Sequence, residues 1–171
     1  IVLDAAAARH CGAWGGSRPT PPHIDKLTRQ GFILSDAISQ ASSTLPSVWS
    51  LMLGRRPPLI PIRPDRPIPS IPRGARTLAD AFRRHGFRTA GFSENPWINP
   101  GLHFDEGFDR FGNISPLLHS NAPFSRSPVA SMECIDLARS WVQSVGDSPW
   151  FLYLHLLRPH NPYAAPAPFG P

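Results

Sequence analysis

Proline decides where this chain can be regular. Twenty-two of its 171 residues are Pro. Each one locks a backbone dihedral and removes an N–H donor. Seven of them fall among the 17 residues from Pro57 to Arg73, a stretch barred from helix and from the middle of a sheet. Residues 57–73 are therefore read as a stiff extended loop, with a PxxP-type ligand as the functional alternative. Regular elements are confined to the intervals between prolines, and there they alternate in type.

Ile1-Val2-Leu3 reads as a short buried strand ending at Asp4. Thr20 is placed to cap, and Pro21 to open, a helix running to about Gln30 with Gly31 as its stop. Phe32–Ile38 reads as a second strand, and Pro46 opens a helix that carries Trp49, Met52 and Leu53 inward. Thr77 and Asp80 make a start resembling a capping box, Leu78 and Phe82 are i, i+4 partners, and Gly86 ends that helix. Phe87–Phe92 alternates as a strand. Pro128 opens a longer helix with Met132, Ile135, Ala138, Val142 and Val145 on one face, stopped by Gly146. Trp150–Leu157 is an apolar run of the kind buried on both faces. Strands alternating with helices predict an α/β fold whose largely parallel sheet is covered on both sides.

With 41% apolar residues the chain can bury the core of one domain. It contains no run of about 18 apolar residues, which excludes a membrane-spanning helix within it. Its two cysteines, Cys11 and Cys134, exclude a disulfide scaffold and a Cys-rich zinc site, and are read as buried thiols. The net charge is +5, carried by 16 Arg and a single Lys, Lys26. The arginines are scattered from Arg9 to Arg158 rather than gathered on a stripe interleaved with aromatics, so no nucleic-acid partner is expected. The opening on Ile1 in mid-strand and the close on Pro166, Pro168 and Pro171 suggest a fragment with both ends missing. Compartment and membrane attachment are therefore not read from it.

In open parallel sheets, ligands sit beyond the carboxyl ends of the strands. Asp4 follows the first strand there, Ser93-Glu94-Asn95 follows the strand ending at Phe92, and His155 and His160 lie at and beyond the last one. Thr44 stands just ahead of the Pro46 helix. A helix N-terminus suits an anionic ester group, and a hydroxyl there can attack phosphorus or sulfur once a metal lowers its pKa. Asp4, Thr44, Asn95 and His160 are expected to converge at one sheet edge. The competing explanations are a simple helix cap for Thr44, a turn-capping Asp4 and a solvated His160.

Six segments, in this order, resemble the N-terminal half of the sulfatase branch of the alkaline phosphatase superfamily. Ile1 to Ala6 with His10, Gly12, Trp14 and Gly15 is similar to the opening metal-binding strand and its turn. PHIDKLTRQG, residues 22–31, resembles the first helix, and SQASSTLPSVWSLMLGR, residues 39–55, the nucleophile segment. TLADAFRRHGFRTAGF, residues 77–92, is similar to the next helix and strand, and Gly107-Phe108-Asp109 to the GFD step. WFLYLHLLRPHNPYAAP, residues 150–166, resembles the strand and PHxPY loop beside the site.

The resemblance implies an alkaline-phosphatase-like three-layer sandwich, with residues 1–171 as one incomplete N-terminal catalytic domain. It implies a metal-dependent hydrolase of sulfuric or phosphoric esters, with Asp4 and Thr44 as metal ligands, Thr44 as nucleophile and His160 as general acid. Asn95 falls where a substrate-binding group belongs. The divalent ion implied is calcium first, with magnesium, manganese or zinc as alternatives. The partner implied is a small-molecule, glycan or lipid sulfate or phosphate ester. Thr44 stands where family sulfatases carry the Cys or Ser that becomes formylglycine. Threonine cannot make that conversion, so no formylglycine is expected. Ala5 replaces the frequent second acid, and Val48 the motif arginine. Those departures keep two alternatives open: a Thr-nucleophile phosphodiesterase or phosphoethanolamine transferase, and a non-catalytic paralogue serving as a binding scaffold.

Overall fold

The computed structural model describes residues 1–17, 22–57, 70–115 and 129–161. The elements are β1 (Val2–Leu3), α1 (Pro22–Thr28), α2 (Thr44–Leu53), α3 (Leu78–Arg84), β2 (Arg88–Ser93), β3 (Arg110–Asn113), α4 (Val129–Ser144) and β4 (Trp150–Leu156), with short 3-10 turns at Ala8–His10, Gly12–Trp14 and Pro100–Leu102. The four strands form one parallel sheet in the order β1-β4-β2-β3. Its register aligns Val2, His155, Ser93 and Asn113 in a single row across all four strands. The strands therefore run out together, and the residues that follow them emerge along one edge.

The period-2 alternation of β4 divides the core into two layers. Phe151 and Tyr153 face one side, where Val48, Trp49 and Met52 of α2 bury against them with Ile71, Ile98 and Phe104. Phe82 of α3 stacks on Phe151 with ring centroids 4.3 Å apart. Leu152, Leu154 and Leu156 face the other side, against Cys134, Ala138 and Trp141 of α4. Helix, sheet and helix give the three layers expected of an α/β sandwich.

Several elements differ from the sequence reading. Phe32–Ile38 forms no strand: Phe32 is fully exposed at 102%, and Leu34 and Ile38 are also solvent-facing. No described strand lies beside this segment to supply cross-strand pairs. Ser35 and Asp36 instead bond locally, Oγ to Oδ2 at 2.7 Å. β3 was not anticipated, because Arg110-Phe111-Gly112-Asn113 carries one large apolar residue; pairing to β2 makes it a strand. In α4 the buried stripe is Cys134, Ala138 and Trp141, at i, i+4, i+7; Ile135, Val142 and Val145 of the expected face pack against it, while Met132 is 58% exposed. Cys134 is buried as expected, but Cys11 is only half-buried. The Thr20-Pro21 helix start, most of the 57–73 loop, Pro128 and the end of the PHxPY loop lie outside the described residues.

The Gly107-Phe108-Asp109 step locks α3 to β2. Thr77 caps α3, its Oγ1 accepting from the Asp80 N–H at 3.1 Å and donating to the Glu106 carbonyl at 2.8 Å. Asp109 Oδ2 accepts the Thr89 N–H at 3.0 Å, and Thr89 Oγ1 donates to the Gly107 carbonyl at 3.1 Å. Gly107 sits at φ +89°, and a Cβ there would strike the Asp80 backbone nitrogen and lie 2.6 Å from Thr77 Oγ1. Left-handed strain and overpacking add, so Gly107→Ala is expected to cost about 2–4 kcal/mol. Chemical denaturation would read this as a lower midpoint at unchanged slope, and an unchanged midpoint would refute it.

Candidate active site

Asp4 is the first residue past β1, and its N–H still donates to the Leu156 carbonyl at 2.9 Å, which holds the turn against β4. Its side chain is the common acceptor of the sheet edge. Oδ2 accepts from Asn95 Nδ2 at 2.5 Å, from His155 Nε2 at 3.3 Å and, at the outer limit of a hydrogen bond, from Thr44 Oγ1 at 3.4 Å. Oδ1 accepts from no described residue. Burial alone would raise the Asp4 pKa. The His155 and Asn95 hydrogen bonds and the nearby imidazoles outweigh it, and the carboxyl is held below 3.8.

Thr44 is the first residue of α2, not its cap. Ser43 occupies the cap position with extended backbone (φ −134°, ψ 157°), which sets aside the capping explanation for Thr44. The helix therefore starts two residues earlier than the Pro46 signal suggested. The Ser43 side chain makes no capping bond, and Pro46 has no N–H. The N–H groups of Thr44 and Leu45 are thus left without partners among the described residues, at the positive end of a ten-residue helix.

These groups open onto a cleft of about 980 Å³ whose wall includes Asp4, Thr44, Trp97, His155 and His160, with Val48 and Trp49 at its base. Asp4, Thr44 and His160 thus share one cleft. His160 Nδ1 donates to the Asn161 carbonyl at 2.7 Å. Asn95 does not line the cleft. It is buried, spending Nδ2 on Asp4 and Oδ1 on the Trp97 N–H at 2.9 Å. The geometry aims it at Asp4 and at the Trp97 backbone. Val48, where the motif arginine would stand, is 4% exposed and packed in the core.

From its strand position alone, His155 reads as a core residue or one that supports the site from behind. It is 1% exposed and joins Asp4 to Tyr153, whose hydroxyl lies 2.8 Å from His155 Nδ1. Burial, and then the Asp4 charge, push the Tyr153 pKa well above its ordinary value, so the phenol keeps its proton. The two-residue spacing of Tyr153 and His155 on one strand face was the signal available in the sequence. Glu94 points elsewhere: buried, it takes the Ser131 hydroxyl at 2.7 Å and the Leu157 N–H at 2.8 Å, fastening α4 to the end of β4.

The sequence matches the Sulfatase family over residues 1–171. This chain belongs to the sulfatase family. Solved structures similar to this sulfatase-family chain include Ps i-CgsB, with TM-score 0.69, 21% identity, and coverage of 98% of this chain and 46% of the other. The phosphonate monoester hydrolase of Agrobacterium radiobacter gives TM-score 0.71, 20% identity, and coverage of 98% and 42%. A protein in the alkaline phosphatase superfamily from Vibrio parahaemolyticus gives TM-score 0.66, 20% identity, and coverage of 97% and 41%. The chain thus spans less than half the length of these structures, and they establish its fold as that of the alkaline phosphatase superfamily. No curated protein matches it.

Family membership raises the question of a divalent ion. Among the described residues no three His, Cys, Asp or Glu side chains are placed to hold one. The donors present fit one side of a hard cation's shell: the open Oδ1 of Asp4 and the Thr44 hydroxyl, both oxygens.

The Asp4 network also predicts an acid dependence. A carboxyl whose folded pKa is depressed contributes stability that is present above its unfolded pKa and lost as pH falls through the folded value. The stability gap between wild type and Asp4→Asn is therefore expected to be full near neutral pH and to narrow as pH drops below 3.8. Denaturation midpoints of both proteins across that range would show it, and a gap constant with pH would contradict it.

Proposed function

We propose that the protein is a metal-dependent hydrolase of sulfuric or phosphoric esters in which Thr44 is the nucleophile. The observation that carries this reading is the placement of the Thr44 hydroxyl at the N-terminus of α2, against the Asp4 carboxylate and inside the cleft. A divalent ion held by Asp4 and Thr44 would supply the positive charge that makes the hydroxyl acidic. Calcium suits an all-oxygen donor set, with magnesium, manganese or zinc as alternatives.

The chain's own groups supply the rest. Thr44 Oγ1 loses its proton to water in the cleft and bonds to phosphorus or sulfur as the bond to the alcohol oxygen breaks. His160 delivers a proton to the departing oxygen, so the alcohol leaves neutral, and recovers one from the water that attacks next. Water then cleaves the Thr44 ester, returning the hydroxyl and releasing phosphate or sulfate. The free N–H groups of Thr44 and Leu45 face the charge that develops on the ester oxygens. The same arrangement serves a phosphodiesterase, or a phosphoethanolamine transferase if an acceptor alcohol replaces water. The complexed relative, Ps i-CgsB with k-i-k-neocarrahexaose, supports a glycan ester as one substrate class. A non-catalytic scaffold is the second reading, favoured by the three donors that Asp4 Oδ2 finds within the chain and by the buried Val48.

Thr44→Ala in the full-length protein, supplied with divalent metal, is expected to lose turnover of aryl phosphodiesters, phosphomonoesters or sulfates by several orders of magnitude. Its melting temperature should barely change, because Thr44 is not the cap. Thr44→Ser keeps the hydroxyl and should retain much of the activity. Equal hydrolysis by wild type and Thr44→Ala would refute the nucleophile and leave the scaffold reading.

A further inference from the structure

We propose that Tyr153 is a positioning residue for this site: its hydroxyl fixes His155 in one tautomer and, through it, sets which oxygen of Asp4 is left open to the cleft. The functional consequence rests on the reading of Asp4 as a cation ligand; the geometry does not.

Tyr153 and His155 stand on the same face of β4, their rings perpendicular and 5.9 Å apart between centroids. The Tyr153 ring is clamped in the α2-side core, with Phe108 6.4 Å away, so its hydroxyl has little freedom to leave the 2.8 Å contact with His155 Nδ1. A carboxylate only accepts, so His155 Nε2 must donate to Asp4 Oδ2. In the neutral form of His155, Nδ1 then has only a lone pair, and the phenol must donate to it. In that form each proton in the chain Tyr153–His155–Asp4 has one place to be.

With Phe at 153, a buried Nδ1 would be left without a partner, which costs free energy in the Nε2–H tautomer. The ring could recover by moving its proton to Nδ1, but Nε2 would then turn a lone pair toward Asp4. The contact with Oδ2 becomes repulsive, and the carboxylate is released from the orientation that presents Oδ1. Outer-shell hydrogen bonds of this kind typically carry about 10–100-fold in metal affinity.

The test uses the full-length protein with ¹⁵N-labelled histidine. Long-range ¹H–¹⁵N spectra should show His155 in wild type as a single Nε2–H tautomer. Tyr153→Phe should show the Nδ1–H form appearing, and its Ca²⁺ affinity by calorimetry should fall about tenfold or more. His155→Gln is the companion. Its amide nitrogen reaches toward Asp4 without needing a phenol to set its proton, so adding Tyr153→Phe in that background should change Ca²⁺ affinity by less than about twofold. An Nδ1–H tautomer or a doubly protonated His155 in wild type would overturn the inference with no variant needed, as would a Tyr153→Phe protein with unchanged tautomer and Ca²⁺ affinity. A wild type that shows the Nε2–H tautomer, loses it in Tyr153→Phe and binds no Ca²⁺ would support the relay and sink the cation reading instead.

Discussion

The Asp4 carboxylate takes hydrogen bonds from three side chains that lie 40, 91 and 151 residues away in sequence. The site depends on this one acceptor. Thr44 reaches it from the start of α2, Asn95 from beyond β2 and His155 from within β4. None of these donors is positioned by local sequence. They meet because a single parallel register carries Val2, His155 and Ser93 in one row, so that the chain segments following β1 and β2 emerge at the same edge, on either side of β4. A slip of one residue in β4 would turn His155 to the α4 side and leave the carboxylate without its buried partner.

The two core layers hold that register. On the α2 side the aromatic run Phe82, Phe151, Phe108 and Tyr153 fixes the strand from its first residues up to the hydroxyl beside His155. On the other side the Cys134–Ala138–Trp141 stripe covers Ala90, Phe92 and Leu154. Glu94 then ties α4 to β4 one residue past β2, on the opposite side from the cleft. The α2-side core also explains Val48. At a helix position that packs against Trp49, Met52 and Tyr153, an apolar side chain gains burial. What is lost is the cation that a motif arginine would bring to the cleft.

The departures from family expectation are therefore of two kinds. Val48 and Ala5 remove groups, a cation and a second acid, and among the described residues no Lys, Arg or further acid in the cleft wall replaces them. Ala5 adopts a left-handed backbone at φ 57° in the turn that follows Asp4. Thr44 stands in place of the convertible Cys or Ser and keeps a hydroxyl in the cleft. A chain that had lost all chemistry would have no reason to keep Asp4, Thr44 and His160 on one wall, whereas the internal satisfaction of Asp4 Oδ2 is what a scaffold would also show. Kinetics on Thr44 variants separates the two.

Much of the layout was legible in the sequence because it rests on short-range rules. Thr77 caps a helix, Trp150–Leu156 is apolar on alternate and intervening positions, and the polar residues Asp4, Asn95 and His160 follow strands. Those features fixed the α/β class, the parallel sheet and the edge where ligands go. The sequence could not say that Phe32–Ile38 stays unpaired, since a strand exists only where a neighbour offers hydrogen bonds. Nor could it say that β3 forms from Arg110–Asn113, which the edge of β2 recruits. The roles of Asn95 and His155 were likewise decided by tertiary structure. Whether an amide faces a ligand or a carboxylate, and whether a strand histidine is inert or a link in a proton chain, depends on which residues lie across the sheet. That is set by register and packing over the whole chain, and no local pattern contains it.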